Sequence, residues 1–171
     1  MASPPRRLDE KLAALKALER SADPPDPALL LDALRSKTGT LVATAARIAA
    51  ARELRGLSGE LADAFERLSE KPVDRDPGCR GKLAVVKALR ALDVWEVRVF
   101  TRGVSLVQQE PVWGGREDTA AELRAECGMA FAHAGRADAL DVLADLLADP
   151  ERAARAGAAQ ALGDSGRPDA T

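Results

Sequence analysis

The 171-residue sequence is poor in the side chains that most enzymes use. It has no tyrosine, aromatic residues make up 3% of it, and His133 is its only histidine. Cys127 lies six residues before His133, which places the two on different faces of one predicted helix and disfavours a Cys–His nucleophile pair. The sequence contains no Cys-x-x-Cys motif and no His-Glu pair that could begin a metal site. We therefore predict no catalytic residue, no metal site and no cofactor.

Three further shortages narrow the class of protein. No stretch approaches 18 apolar residues, and the segment from Met1 to Lys11 lacks the apolar core of a secretion signal. Cys79 and Cys127 are too few for a disulfide scaffold and fit buried thiols in a reducing compartment, so we expect a cytoplasmic protein. The net charge of −2 provides no general attraction to nucleic acid or to an anionic membrane, and we expect neither as a partner.

One stretch, from Asp149 to Gly166, has the sequence features of a complete helix. Asp149 can cap free backbone amides, and Pro150 suits the first helical position because its missing N–H would have no partner there. Alanines then continue the helix at little entropic cost, and Gly163 and Gly166 favour its termination. We predict a helix over about residues 150–162.

The same pattern recurs earlier in the chain. Steps of 31, 42 and 35 residues back from Arg155 reach Arg124, Lys82 and Arg47, and apolar positions follow at matching offsets. A period of this length with variable spacing is typical of stacked two-helix repeats, in which insertions fall in the loops.

An aspartate precedes the basic residue by six positions in three of these units. The pairs are Asp76 and Lys82, Asp118 and Arg124, and Asp149 and Arg155. We interpret them as structural: each aspartate caps its helix and pairs with a basic group of its own or the next repeat. The alternative is a row of arginines that bind a ligand. In the first unit, Leu41 stands six positions before Arg47, so that repeat is degenerate.

With this period and these helix ends, the chain resembles HEAT-like repeat proteins, in particular the bacterial repeats of phycobilin lyases. The resemblance covers about residues 27–171. It implies an all-α fold, a right-handed α-solenoid of about four antiparallel helix pairs, with an amphipathic N-terminal helix from Leu8 as a cap. The expected pairs span about residues 27–55, 59–92, 95–134 and 137–162. We predict a mobile tail over residues 1–7 and a single repeat domain over residues 8–171.

The end of the sequence carries the start of a further repeat. Arg167 to Ala170 align with Arg136 to Ala139, where another helix should begin. We therefore expect either a fragment of a longer array or a C-terminal edge that is open to self-association.

In HEAT-type solenoids the second helix of each pair lines the concave binding face. Leu83, Val86 and Leu89 predict the buried side of one such helix, so the basic residues between them point outward. Carried to the first unit, this reasoning predicts a basic stripe of Arg52, Arg55, Arg80, Lys87 and Arg90 that binds an acidic or phosphorylated peptide. The alternative is a solvated charged face.

A second candidate is the predicted loop over residues 108–116. Trp113 and Arg116 there either anchor a partner or belong to a lid over the solenoid. The favoured function is a non-enzymatic protein–protein interaction scaffold. The resemblance implies an alternative, a lyase-like accessory protein that handles a cofactor- or chromophore-bearing partner.

Overall fold

The computed structural model describes residues 4–21 and 24–165. The chain forms two compact units, Met1–Val94 and Trp95–Thr171. The helices of the first unit are α1 (Pro4–Arg20), α2 (Pro27–Leu34), α3 (Gly39–Ala51), α4 (Ser58–Ser69), the single turn α5 (Pro72–Arg75) and α6 (Arg80–Ala91), with 3₁₀ turns at Arg55–Leu57 and Pro77–Cys79. The second unit contains α7 (Val97–Gly103), strands β1 (Gln109–Val112) and β2 (Gly115–Asp118), and helices α8 (Ala121–His133), α9 (Ala139–Leu147) and α10 (Arg152–Asp164).

In the first unit, α3 packs against α1, α2 and α6, and α4 packs against α6. Leucines and Phe65 fill the core between these helices, and Phe65 and Leu89 are completely buried. Helices α3 and α6 come close because each has a glycine in its first turn, Gly39 in α3 and Gly81 in α6. A Cβ atom on Gly81 would lie 2.9 Å from the Cα of Gly39 and 2.6 Å from the Cδ1 of Leu68. The glycines therefore set the distance between these two helices.

In the second unit, α8 packs against α7, α9 and α10, and α9 packs against α10. Leu143 and Leu146 of α9 meet the alanine face of α10, with Met129 beside them. Gly157 of α10 faces the side chain of Ala125, so this helix pair also approaches through a residue without a side chain. The alanines that favour the helical conformation of α10 thus also form its packing surface.

The fold is all-α apart from the β1–β2 hairpin, as predicted. It consists of the helix pairs α2–α3, α4–α6, α7–α8 and α9–α10, the building units of α-solenoids. Successive second helices pack on one another within each unit, α3 on α6 and α8 on α10. The right-handed sense and the single domain over residues 8–171 stay predictions. The expected helix after Arg167 lies outside the described residues.

Several helix ends differ from the sequence prediction. Helix α1 begins at Pro4, inside the segment predicted as a tail, and residues 1–3 lie outside the described part. Helix α3 ends at Ala51 instead of about residue 55, because Glu53 adopts a φ of 53° and turns the chain. Helix α10 begins at Arg152 with Glu151 at the N-cap position. The predicted cap, Asp149, instead accepts a hydrogen bond from the Glu151 amide at 2.8 Å in the preceding turn.

Within the described residues, none of the helices has both the length and the apolar character needed to cross a membrane.

Candidate functional site

A groove with a volume of about 800 Å³ lies on the first unit between α1, α3 and α6. Each helix contributes one face, and the lining residues are Leu12 and Lys16 of α1, Thr40, Ala43, Thr44, Arg47, Ala50 and Ala51 of α3, and Arg80, Leu83, Ala84, Lys87, Ala88 and Ala91 of α6. Six of the fourteen lining residues are alanines, and the others are leucine, threonine, lysine and arginine. The groove therefore has apolar area between longer basic side chains.

Helices α3 and α6 line the groove with equivalent positions forty residues apart. The matched pairs are Thr40 and Arg80, Ala43 and Leu83, Thr44 and Ala84, Arg47 and Lys87, and Ala51 and Ala91. Their buried positions match at the same step, for example Ala45 with Val85 and Ala46 with Val86. The structural step between these repeats is thus forty residues, and the step of 35 used in the sequence alignment is wrong.

The charged residues that line the groove are all basic. They are Lys16, Arg47, Arg80 and Lys87, and all four are exposed. Arg47 is partly neutralised, because its Nε atom donates to the carboxylate of Glu19 at 3.0 Å. Its guanidinium also donates to the Thr44 hydroxyl at 3.3 Å. The groove therefore combines an apolar floor with a positively charged rim.

The structure places only two residues of the predicted basic stripe in this groove. Arg80 and Lys87 line it, as their helical spacing predicted. Arg52 follows the end of α3 and donates to the carbonyl oxygen of Ser21, and Arg55 is exposed in a 3₁₀ turn. Arg90 is half-buried on another side of α6. The helical extrapolation failed at Arg52 and Arg55 because the helix ends before them.

Lys16 and Arg47 were not predicted as groove residues. The position of Arg47 could have been predicted from the sequence, because an alignment with a step of forty residues matches Arg47 with Lys87. Lys16 lies on α1, which carries no repeat signal. Its position follows only from the packing of α1 on α3.

Two of the three Asp–basic pairs, Asp76–Lys82 and Asp118–Arg124, are buried, one in each unit. Asp76 is 1% exposed and accepts hydrogen bonds from the backbone amides of Gly81 and Lys82 at 2.6 and 3.0 Å. Its carboxylate also accepts from the Lys82 Nζ atom at 2.9 Å, and that side chain is fully buried. Asp76 therefore caps the start of α6 and neutralises a buried lysine.

Arg124 connects two neighbouring repeats of the second unit. Its guanidinium donates to Asp118 of its own repeat at 2.6 Å and to both carboxylate oxygens of Asp149, in the next repeat, at 2.7 and 2.8 Å. It also donates to the Leu106 carbonyl at 2.8 Å. The corresponding Arg155 is exposed and donates to the carbonyl oxygens of Asp149 and Pro150.

Electrostatics favour the charged state of every member of this network. Burial raises the pKa of Asp118, but the backbone amides of Gln108 and Ala120 and the Arg124 guanidinium outweigh it, so the pKa lies below its ordinary value. The pKa of Asp149 is lowered in the same way, against burial, by Arg124 and the Glu151 amide. Burial alone would lower the pKa of Arg124, but the two carboxylates raise it. These residues form an ion-pair network that is complete within the protein.

The first repeat lacks this ionic arrangement. At the step of forty residues, Ser36 stands in the place of Asp76 and Val42 in the place of Lys82. Ser36 accepts a hydrogen bond from the Thr38 amide at 3.0 Å, and Val42 is completely buried. The sequence comparison of Leu41 with Arg47 identified the wrong positions. A hydroxyl and an apolar side chain here take the places of the carboxylate and the buried amine.

Residues 114–171 match a family model described as HEAT repeats. Residues 114–171 carry HEAT repeats. The match covers α8, α9 and α10 and confirms the HEAT-like resemblance, although it does not distinguish the phycobilin-lyase type. No curated protein and no solved structure is significantly similar to the chain.

The segment between α7 and α8 forms a β-hairpin and not the predicted loop. Strands β1 and β2 pair in antiparallel register, with Val112 opposite Gly115. Gly114 provides the positive φ of 87° that the two-residue turn needs. Trp113 lies at the tip with its side chain fully exposed, and Arg116 donates to the Gln109 carbonyl at 2.8 Å. A lid would have buried Trp113, so the lid interpretation is wrong for this residue.

The second tryptophan, Trp95, packs against other aromatic side chains of the second unit. Trp95 stacks on Phe100 with ring centroids 4.8 Å apart and meets Phe131 edge-on at 5.0 Å. The Arg136 guanidinium lies 5.4 Å from the Trp95 ring centroid. Trp95 is therefore half-buried at the edge of the aromatic cluster that it forms with Phe100 and Phe131.

Residues with potential for chemistry are dispersed. Cys79 and Cys127 are buried thiols without a disulfide, and His133 is exposed at the end of α8. Within the part of the chain that the structure describes, no group of three or more histidine, cysteine, aspartate or glutamate side chains could hold a metal ion. The basic groove and the exposed Trp113 are thus the two candidate sites for binding.

Proposed function

We propose that this HEAT-repeat protein is a non-enzymatic interaction module whose groove between α1, α3 and α6 binds an acidic segment of a protein partner. The observation that carries the proposal is the charge of the groove, since Lys16, Arg47, Arg80 and Lys87 surround a floor of alanine. HEAT repeats generally serve as surfaces for protein interaction, which is consistent with this proposal.

The distribution of charge in the groove favours a carboxylate ligand. Arg80 and Lys87 lie two turns apart on the same face of α6, so a chain that runs along the helix contacts both. Part of the positive charge of Arg47 is neutralised by its contact with Glu19. Ion pairs at an exposed rim are screened by salt and mainly increase the association rate. Binding should therefore weaken as the salt concentration rises.

The first experiment compares two charge-reversed variants of the full chain. Arg80→Glu with Lys87→Glu reverses the rim, and Arg35→Glu with Lys37→Glu reverses two exposed basic residues of the same unit that do not line the groove. Fluorescence anisotropy with a glutamate-rich peptide at low and moderate salt measures the affinity. The groove variant should bind at least about tenfold more weakly than the wild type, while the control keeps most of its affinity. Equal losses in both variants would leave only non-specific attraction and refute the proposed site.

Trp113 is proposed as a second and weaker contact for the same partner. A fully exposed tryptophan beside Val112, which is 44% exposed, places apolar area on a rigid turn. Arg116 of β2 donates a hydrogen bond to the Gln109 carbonyl of β1 and so links the two strands of the hairpin. Once a partner is identified, Trp113→Ala should raise its dissociation constant without changing stability. An unchanged dissociation constant would exclude this contact.

The alternative is a lyase-like accessory protein for a chromophore-bearing partner. The apolar floor of the groove is the observation that favours it, since a flat ring system binds to such a surface. Titration with a linear tetrapyrrole, followed by absorption spectroscopy, tests it directly. A saturable spectral change that Ala84→Phe abolishes would support this function over peptide binding.

We also propose a cytoplasmic location for the protein. Two buried thiols without a disulfide are consistent with a reducing compartment. Localisation of a tagged full chain by fractionation would test this assignment.

A further inference from the structure

The floor of the groove has the surface features that receive another helix. Helices α3 and α6 lie side by side, and Ala43 and Ala50 of the one and Ala84 and Ala91 of the other line the groove between them. Short side chains allow a further helix to approach at about 8–10 Å between axes. The lined face extends over three turns of each helix, which corresponds to about 16 Å.

The secondary structure of the walls argues against an extended ligand. The walls are helices whose backbone hydrogen bonds are already made within each helix, so they offer no strand edge with which a peptide backbone could pair. An extended chain on the alanine floor would lose water from backbone groups without replacing those hydrogen bonds. A helix satisfies its own backbone groups and exposes only side chains to the floor. The apolar part of the groove therefore selects a helix.

The spacing of the basic residues indicates where the acidic residues of that helix should be. Arg80 and Lys87 are seven positions apart on α6, or about 10.5 Å along its axis. A ligand helix that runs alongside α6 presents side chains at i and i+7 with the same spacing. Lys16 lies on the opposite wall, on α1. A ligand helix with acidic residues on both sides of its apolar stripe would therefore place carboxylates near the basic residues of both α6 and α1.

We propose that the groove binds an acidic amphipathic helix of the partner, with its apolar stripe on the alanine floor and carboxylates at i and i+7 against Arg80 and Lys87. The inference rests on the proposed function and adds the conformation and the sequence pattern of the ligand. It predicts a partner segment of about three turns or more, in which leucine or alanine recurs every three or four residues to form the apolar stripe beside the carboxylates.

The test uses three fluorescent peptides of about 18 residues and the full chain. The first has an apolar stripe flanked by glutamates at i and i+7. The second has the same composition in an order that removes the stripe, and the third carries a central proline that prevents a continuous helix. Anisotropy measures affinity, and circular dichroism measures the helix content gained on mixing. A floor variant, Ala84→Phe, and the rim variant Arg80→Glu/Lys87→Glu are compared after their folding has been verified by circular dichroism.

The inference predicts that the first peptide binds at least about tenfold more tightly than the other two and gains helix on binding. Ala84→Phe should weaken only this peptide, whereas the rim variant weakens all three. Equal affinity for the three peptides, each weakened by the rim variant, would overturn the helix inference and leave the acidic-peptide function in place. Binding of none of them, or binding unaffected by the rim variant, would overturn both.

Discussion

Gly157 and Gly163 lie six residues apart on helix α10 in opposite surroundings. A Cβ atom at position 157 would collide with Ala125 of α8, whereas one at position 163 would meet nothing within 4 Å. Gly157→Ala should therefore lower the free energy of unfolding by about 1–3 kcal/mol through overpacking. Gly163→Ala should raise it by up to about 0.5–1 kcal/mol, because alanine restricts the unfolded chain and favours the helix.

Urea denaturation of the two alanine variants measures both effects on one scale. Because the substitution is the same and the helix is the same, helix propensity cancels in the comparison. Equal changes in both variants would mean that α10 and α8 do not pack as closely as described.

Arg124 is the residue whose removal should damage the second unit most. It is 2% exposed and neutralises both Asp118 and Asp149, so Arg124→Leu would leave two carboxylates without their cation. We expect a loss of about 3–5 kcal/mol in the free energy of unfolding. Lys11→Leu is the control, because its ion pair with Asp32 is exposed and should contribute less than about 1 kcal/mol. Chemical denaturation of each variant tests this, and similar losses would contradict the buried network.

At the scale of elements, the β1–β2 hairpin holds Trp113 in an environment that differs from that of Trp95. Trp113 is fully exposed at its tip, whereas Trp95 is half-buried and stacks on Phe100. We predict that acrylamide quenches the red-shifted part of the fluorescence and that Trp113→Phe removes this part. The unfolding midpoint should remain unchanged, because an exposed side chain contributes little to stability. A blue-shifted spectrum that loses intensity in this variant would show that Trp113 is buried.

The helices were predictable from the sequence, and the hairpin was not. Helical periodicity and helix-end residues are local signals, so the helices of every predicted pair were found with only their ends displaced. Strand β1 has the sequence Gln-Glu-Pro-Val, in which a proline and weak alternation hide the strand. The hairpin is closed by contacts between residues ten positions apart, such as the Gln108 amide with Asp118 at 2.9 Å, which no local pattern contains.

The groove was predictable only in part, for a related reason. Arg80 and Lys87 follow from the periodicity of one helix. The alignment of Arg47 with Lys82 matched charge with charge, although Val42 holds the equivalent buried position. An apolar side chain replaces an ion pair there, and an alignment guided by charge cannot detect that replacement. The contribution of α1 depends on packing alone.

At the scale of the whole molecule, the two units carry opposite net charge. The residues up to Val94 include 17 basic and 14 acidic side chains, for a net +3, and those from Trp95 include 8 and 13, for a net −5. The total of −2 conceals this difference. We predict that hydrogen-exchange protection by a glutamate-rich peptide is confined to α1, α3 and α6. Protection centred on α8 or α10 would place the binding site in the second unit and contradict the proposed groove.

The stability of the second unit should fall in acid. The lowered pKa values of Asp118 and Asp149 mean that these carboxylates bind protons less readily when folded than when unfolded. Their contribution is fully present above the ordinary pKa of 3.8 and is lost as the pH falls through the folded values. Urea unfolding from about pH 7 to pH 2 should show this loss below about pH 4, and Asp118→Asn with Asp149→Asn should flatten it. An equally steep loss in that variant would assign the effect to other groups.

Arg124 links two neighbouring repeats, and this link should make their unfolding cooperative. In a linear repeat array, the cooperativity of unfolding depends on the coupling between neighbours. Because Arg124 of α8 binds Asp149 in the turn before α10, detaching α10 would also leave a buried guanidinium on α8 half-neutralised. The last two repeats should therefore exchange their amides as one cooperative unit and not fray from the C-terminal side. The repeat of α2 and α3 has Val42 at the equivalent position instead of a basic residue. A hydrogen bond from Arg67 of α4 to the Leu34 carbonyl at 2.8 Å, together with apolar contacts, joins it to the next repeat.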